Sequence, residues 1–170
     1  MNVSTEELLE ELHALRGRVA HLEDELSVRR VIAAYGPLAD SGDAEATGRL
    51  WAEEAVYDMD VGTLNGRAEI TEMVDGPVHQ EIIGGGAAHA NGPVVVELNG
   101  DTAVATGHSQ LFRGDGSGGF YVWRIAANRW ELARGAGGWQ VTRRTTRLLD
   151  GRPDARELLR RAGRSDGAAC

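Results

Sequence analysis

VVVELNGDTAVATGHSQLF, residues 94–112, holds two β-like runs, 94–98 and 102–112, on either side of the turn signal Asn99-Gly100-Asp101. So short a link makes the runs antiparallel neighbours. The pattern continues downstream. Residues 119–134 and 139–149 are again β-like, and the glycine-rich segments 114–118 and 135–138 divide them. The second half of the chain therefore reads as an antiparallel meander of long hairpins.

Upstream of this stretch the period changes from two to about 3.6. Ser4 with Glu7 three residues later is a capping box, and Leu8, Leu12, Leu15, Val19, Leu22 and Leu26 follow at alternating spacings of four and three. That seam suits either an arm packed along its own domain or a short coiled-coil contact between subunits. Val28, Ile32 and Tyr35 continue the pattern until the Gly36-Pro37 pair, which is expected to stop the helix just before Asp40. Asp43 is a candidate N-cap for a helix that buries Leu50 and Trp51; a strand is expected at 56–61, a turn at Asn65-Gly66 and a short helix at 68–74. Gly84-Gly85-Gly86 reads as a flexible loop ahead of His89, residues 153–162 as a tail helix, and 163–170 as frayed.

Helices first and strands second is an α+β arrangement, with helices covering one face of a curved antiparallel sheet. A cavity is expected between the layers, with residues 84–88 at its mouth, and such pockets take small molecules. The division expected is a helical arm at 1–27, a domain at 28–150 and a tail at 151–170.

Composition limits the chemistry. The chain has 170 residues, 42% hydrophobic and 26% charged, which suits one domain. All 18 basic residues are arginine, and 26 acidic residues bring the formal net charge to -8. An acidic surface disfavours nucleic acid and anionic membrane as partners. Without lysine there is no Schiff base and no phosphate-loop lysine. The single cysteine is Cys170, the last residue, which leaves no internal disulfide and no credible buried thiol nucleophile. No apolar run approaches about 20 residues, and the acidic N-terminus does not resemble a signal peptide, so the expected location is cytoplasmic. The tryptophans at 51, 123, 130 and 139 are expected to anchor much of the core.

Histidine is then the natural candidate base, because its reference pKa near 6.5 allows proton transfer in both directions at neutral pH. His13 and His21 fall on polar faces of the first helix, and His79, after Pro77, is expected to be exposed or at the pocket mouth. His89 opens a strand and His108 lies within the next, sharing parity with Gln110 and Phe112. Each suits either a cavity role or a structural one. The absence of HEXXH or other metal-ligand spacing argues against a metal.

The order AAYGPLADSGD, RLWAEEAVYDMD, NGRAEI, AAHANGPVVVELNGDTAVATG and GGWQVTRRTTRL resembles the SnoaL-like branch of the nuclear-transport-factor-two-like superfamily over about residues 28–150. The branch includes scytalone dehydratase, hexachlorocyclohexane dehydrochlorinase, bile-acid 7-alpha-dehydratase, polyketide cyclases and members without known activity. The resemblance implies an α+β cone (an α+β barrel) around a cavity. In its eliminating enzymes a histidine base pairs with an aspartate, and the matching positions are His89 in AAHAN and Asp40 in ADSGD. Tyr35 matches a polar position near the base, Arg144 in TRR an arginine that lines the cavity, and Tyr57 a further tyrosine. Arg143 remains an alternative to Arg144, since strand neighbours face opposite sides.

The resemblance implies a cofactor-free lyase of dehydratase type, or a related isomerase or polyketide cyclase, on a small, mostly apolar cyclic substrate. His89, Asp40, Tyr35 and Arg144 are its candidate catalytic residues. Tyr57, His108, Gln110, Phe112 and Trp51 are the candidate substrate-binding residues. No metal and no cofactor are expected. A non-catalytic ligand-binding or accessory protein of the same fold is the alternative. A homo-oligomer, dimer or trimer, is expected in either case.

Overall fold

The computed structural model describes residues 4–160 and 162. Cys170 and the rest of 163–170, expected to be frayed, lie outside the described residues.

Helix α1 (Thr5–Asp40) starts at the expected capping box: Ser4 Oγ accepts from the Glu7 N–H at 3.2 Å, and Glu7 Oε2 accepts from the Ser4 N–H at 2.7 Å. It then runs unbroken for 36 residues, through Gly36-Pro37. The expected stop does not occur. Pro37 withdraws only one donor, close to the end of the helix, and tertiary contacts hold that turn. Asn91 Nδ2 donates to the Ile32 carbonyl at 3.0 Å, and the backbone at His89 lies directly against Gly36. Asp40 thus belongs to the last turn of α1.

Asp43 caps α2 (Ala44–Arg49) as expected, its Oδ1 accepting from the Ala46 N–H at 2.8 Å. The helix ends before Trp51, which instead opens β1 (Trp51–Met59). The Leu50 carbonyl accepts from the Val141 N–H at 2.9 Å, which draws the chain into the sheet at that point. β1 turns back into β2 (Gly62–Asn65), and Gly66 begins α3 (Gly66–Asp75). Next comes a helix the sequence reading omitted, α4 (Pro77–Gly84). Its markers are Pro77 in the first turn and glycines at the end, the usual asymmetry of helix termini.

The meander follows as β3 (Ala87–Asn99), β4 (Thr102–Gly114), β5 (Phe120–Gly135) and β6 (Gly138–Leu148), and then α5 (Pro153–Arg160). The curved six-stranded sheet has the order β2-β1-β6-β5-β4-β3 and does not close into a barrel. All pairings are antiparallel except β1 with β6, which run parallel. That exception joins a strand that precedes the meander to the meander's final strand.

Val28, Ile32, Tyr35 and Ala39 form the face that α1 buries, against Trp51, Tyr57, Trp130, Leu132, Trp139 and Val141 from the sheet. The α1 spacing of four and three directs these side chains to one stripe. Three tryptophans serve the core. Trp123 does not: it is 48% exposed, under the Arg113 guanidinium at 5.0 Å from the ring centre. Among the described residues no helix is long and apolar enough to cross a membrane.

Candidate functional site

A cavity of about 210 Å³ lies where the last turns of α1, helices α3 and α4 and the sheet converge. An apolar cavity of roughly 150 Å³ holds benzene, so one or two fused rings match this scale. Its apolar wall includes Met59, Met73, Ile82 and Leu111, with Val61 and Val78 at the exposed rim. None of residues 84–88 lines it, so the expected mouth is misplaced. Helix α4 occupies that side instead.

Asp40 reaches from the end of α1 to the start of β3 and holds His89 twice. Its Oδ2 accepts from the His89 backbone N–H at 2.8 Å, and its Oδ1 lies 2.6 Å from His89 Nδ1. A carboxylate oxygen accepts, so Nδ1 carries the proton and Nε2 carries the lone pair. The close passage that makes this possible requires Gly36, where any Cβ would collide with the His89 carbonyl oxygen.

Sheet register gathers the second part of the site. Arg144 on β6 stands beside Tyr57 on β1 and opposite Trp130 on β5. Its guanidinium carbon lies 4.0 Å from the Trp130 ring centre, 4.4 Å from that of Tyr35 and 4.9 Å from that of Tyr57. Nε and Nη2 donate to Asn128 Oδ1 at 3.0 and 2.8 Å, while Thr146 Oγ1 donates to the same oxygen at 3.2 Å. Nη1 has no partner among the described residues, and Arg144 is 3% exposed. Among the described residues no carboxylate pairs with it, so a neutral amide and aromatic faces are all that meet this buried charge. Arg143 points away, 43% exposed, with its Nη2 3.7 Å from Asp58. The open choice between the two arginines thus resolves to Arg144.

Tyr35 lies between the two groups, its ring edge-on to those of His89, Trp51 and Trp130. Burial, and after it the neighbouring Tyr57, push its hydroxyl pKa well above the ordinary phenol range, outweighing Arg144. Tyr35 is therefore a neutral donor at physiological pH.

His79, expected to be exposed or at the pocket mouth, is 7% exposed, lines the cavity and stacks on His89 with ring centres 5.6 Å apart. On α4 it is carried inward, where its Nδ1 donates to the Val74 carbonyl at 3.1 Å. Desolvation, then the His89 charge, push its pKa below the ordinary histidine value. Pro77 and the terminal glycines were the signal that would have placed it on a helix.

Gln110 and Tyr57 line the cavity, as do Ser109 and Thr146. His108 is exposed and lies outside it, although Gln110, of the same strand parity, lines it. Phe112, half-buried, does not line it either. Trp51 is fully buried beneath the site, where its ring packs on Tyr35 and Tyr57. Among the described residues no three His, Cys, Asp or Glu side chains group as ligands for a metal ion.

The family model of the SnoaL-like domain matches residues 20–145. The chain belongs to the SnoaL-like family. A solved NTF2-like protein with a cystatin-like fold from Novosphingobium aromaticivorans is 46% identical, over 87% of this chain and 96% of that one, with a TM-score of 0.84. Two further structures from the same organism share this chain's fold at lower identity. A putative scytalone dehydratase is 16% identical over 76% of this chain and 86% of its own, with a TM-score of 0.63. The beta subunit of a putative aromatic-ring-hydroxylating dioxygenase is 17% identical over 76% and 91%, also at 0.63. No curated protein matches the chain.

Proposed function

We propose that this SnoaL-like protein is a cofactor-free lyase that eliminates water across a carbon–carbon bond of a small, mostly apolar cyclic substrate. The observation that carries the reading is the Asp40–His89 pair at 2.6 Å on the wall of a mostly apolar cavity. With Nδ1–H held by Asp40, the His89 Nε2 lone pair accepts the proton of an acidic C–H, and Asp40 stabilises the imidazolium formed. The electrons of that bond become the new double bond as the C–O bond breaks. Arg144, whose charge no carboxylate among the described residues neutralises, stabilises the negative charge that develops in between. Tyr35, kept protonated by burial, donates a hydrogen bond to the departing oxygen. The imidazolium then returns its proton to that oxygen, so water leaves and the site is restored.

Isomerisation or polyketide cyclisation begins with the same proton abstraction and uses the same residues up to the enolate. The acting form in this reading is a cytoplasmic homo-oligomer. Its test is a turnover screen of cyclic β-hydroxy ketones and polyketide-like rings with wild type and His89→Ala. Turnover that falls at least a hundredfold in the variant supports His89 as the base. Equal turnover in both removes it, and binding of these compounds without turnover by wild type favours a non-catalytic ligand-binding or accessory role.

A further inference from the structure

The N-terminal half of α1 leaves its apolar stripe without a partner among the described residues. Leu8, Leu12, Leu15, Val19, Leu22 and Leu26 are between 41% and 57% exposed. The opposite side of the helix faces the protein's own domain: Asp24 pairs with Arg134 and accepts from Trp139 Nε1, and Val28, Ile32 and Tyr35 are buried. Helical rotation of 100° per residue places the centre of the stripe a third of a turn or more from these residues. It points outward along about 28 Å of helix.

The 4-3 spacing sets a heptad register in which Leu8, Leu15 and Leu22 take position d and Leu12, Val19 and Leu26 take position a. Position e then holds Leu9, Arg16 and Glu23, and position g holds Glu11, Arg18 and Glu25. In a parallel pair each g residue faces the e residue five positions later on the other helix. Glu11 meets Arg16, and Arg18 meets Glu23, so each contact joins opposite charges. An antiparallel pair brings g to g and e to e. With Leu8 opposite Leu26, it places Arg18 near Arg18, Arg16 near Arg16 and Glu11 near Glu25, all like charges.

We infer that the occupant of this stripe is the same stripe of a second copy, wound as a parallel, in-register two-stranded coiled coil that sets both cones at one end. Three heptads are marginal for isolated peptides. Here the cone already holds the C-terminal half of each helix, so the nucleation cost is met before the arms pair. This inference deepens the homo-oligomer reading by naming its surface, stoichiometry and direction, and it stands apart from the chemistry of the cavity.

Light scattering on the full chain tests it together with Leu15→Glu/Leu22→Glu, two changes at exposed positions that leave the core intact. The expected masses are twice the chain's 18.2 kDa for wild type and 18.2 kDa for the variant at micromolar concentration. Direction is read by oxidative cross-linking in a Cys170→Ser background. Leu8→Cys should give a covalent dimer, because parallel pairing brings residue 8 beside residue 8, whereas antiparallel pairing separates them by about 27 Å along the axis. A double variant that keeps twice the chain mass overturns the coil but leaves a homo-oligomer through another surface. A wild-type mass of 18.2 kDa overturns both. Cross-linking only between Leu8→Cys and Leu26→Cys chains overturns the parallel direction.

Discussion

Gly36 and His89 are in backbone contact: helix α1 passes so close to the start of β3 that a side chain on Gly36 would enter the space of the His89 carbonyl oxygen. One turn further along the helix, Asp40 takes both the backbone N–H and the imidazole of the same histidine. The glycine thus sets the distance across which the carboxylate works, and Pro37 stiffens the turn between them.

Gly36→Ala is therefore expected to cost about 1–3 kcal/mol through overpacking, a fall of roughly 2–10 °C in Tm for a domain of this size. Turnover on any substrate of the wild type should fall further than stability alone explains, because β3 must retreat from Asp40. A thermal melt, together with kinetics below the melting range, measures both. Unchanged values would show that the contact relaxes without disturbing the pair.

Asp40→Asn keeps the shape of the Asp40–His89 pair and removes its charge. Asn offers an amide donor as well as an acceptor, so the Nδ1–H tautomer is no longer imposed, and a drop in turnover of about 10²–10⁴ is expected. Nitrogen-15 NMR of the imidazole is the direct readout. Wild type should show the proton on Nδ1 near neutral pH and the variant a larger share on Nε2; identical spectra would remove the orienting role of Asp40.

The meander was legible because its runs are long and glycine-rich turns divide them. The parallel contact between β1 and β6 was not. No local pattern in WAEEAVYDM encodes which strand it meets 80 or more residues later. Pro37 misled for a similar reason: local propensity ends the helix there, and contacts from Asn91 and His89 keep it going. His89, Tyr35 and Arg144 line one cavity and Asp40 holds His89 from behind, whereas His79 was unreadable until α4 existed, and His108 shows how strand parity alone leaves the facing side undetermined.

His79 gives a pH dependence of stability. Its pKa in the folded protein lies below the ordinary value of 6.5, so the unfolded chain binds the additional proton first. The folded state therefore loses stability as pH falls through 6.5 and below, while above that value the group contributes no slope. Tm should decline between pH 7 and pH 5 in wild type and decline less in His79→Gln, whose amide can still donate to the Val74 carbonyl. Parallel curves for the two proteins would assign the loss to other groups.

Arg144→Met separates binding from folding. The guanidinium is buried among Trp130, Tyr35 and Tyr57 with Nη1 unpartnered, and replacing an uncompensated charge by an apolar side chain of similar reach relieves a desolvation cost. Against this, Asn128 Oδ1 loses two donors and keeps only Thr146, a cost of about 1–3 kcal/mol. The two effects oppose each other, so Tm should shift by no more than about 4 °C in either direction. Affinity for a phenolate or enolate mimic in the cavity should fall at least tenfold, since the charge that attracts it is gone. Calorimetric titration with a nitrophenolate at pH 8 measures this, and undiminished binding in a folded variant would mean that the buried cation serves the fold rather than the ligand.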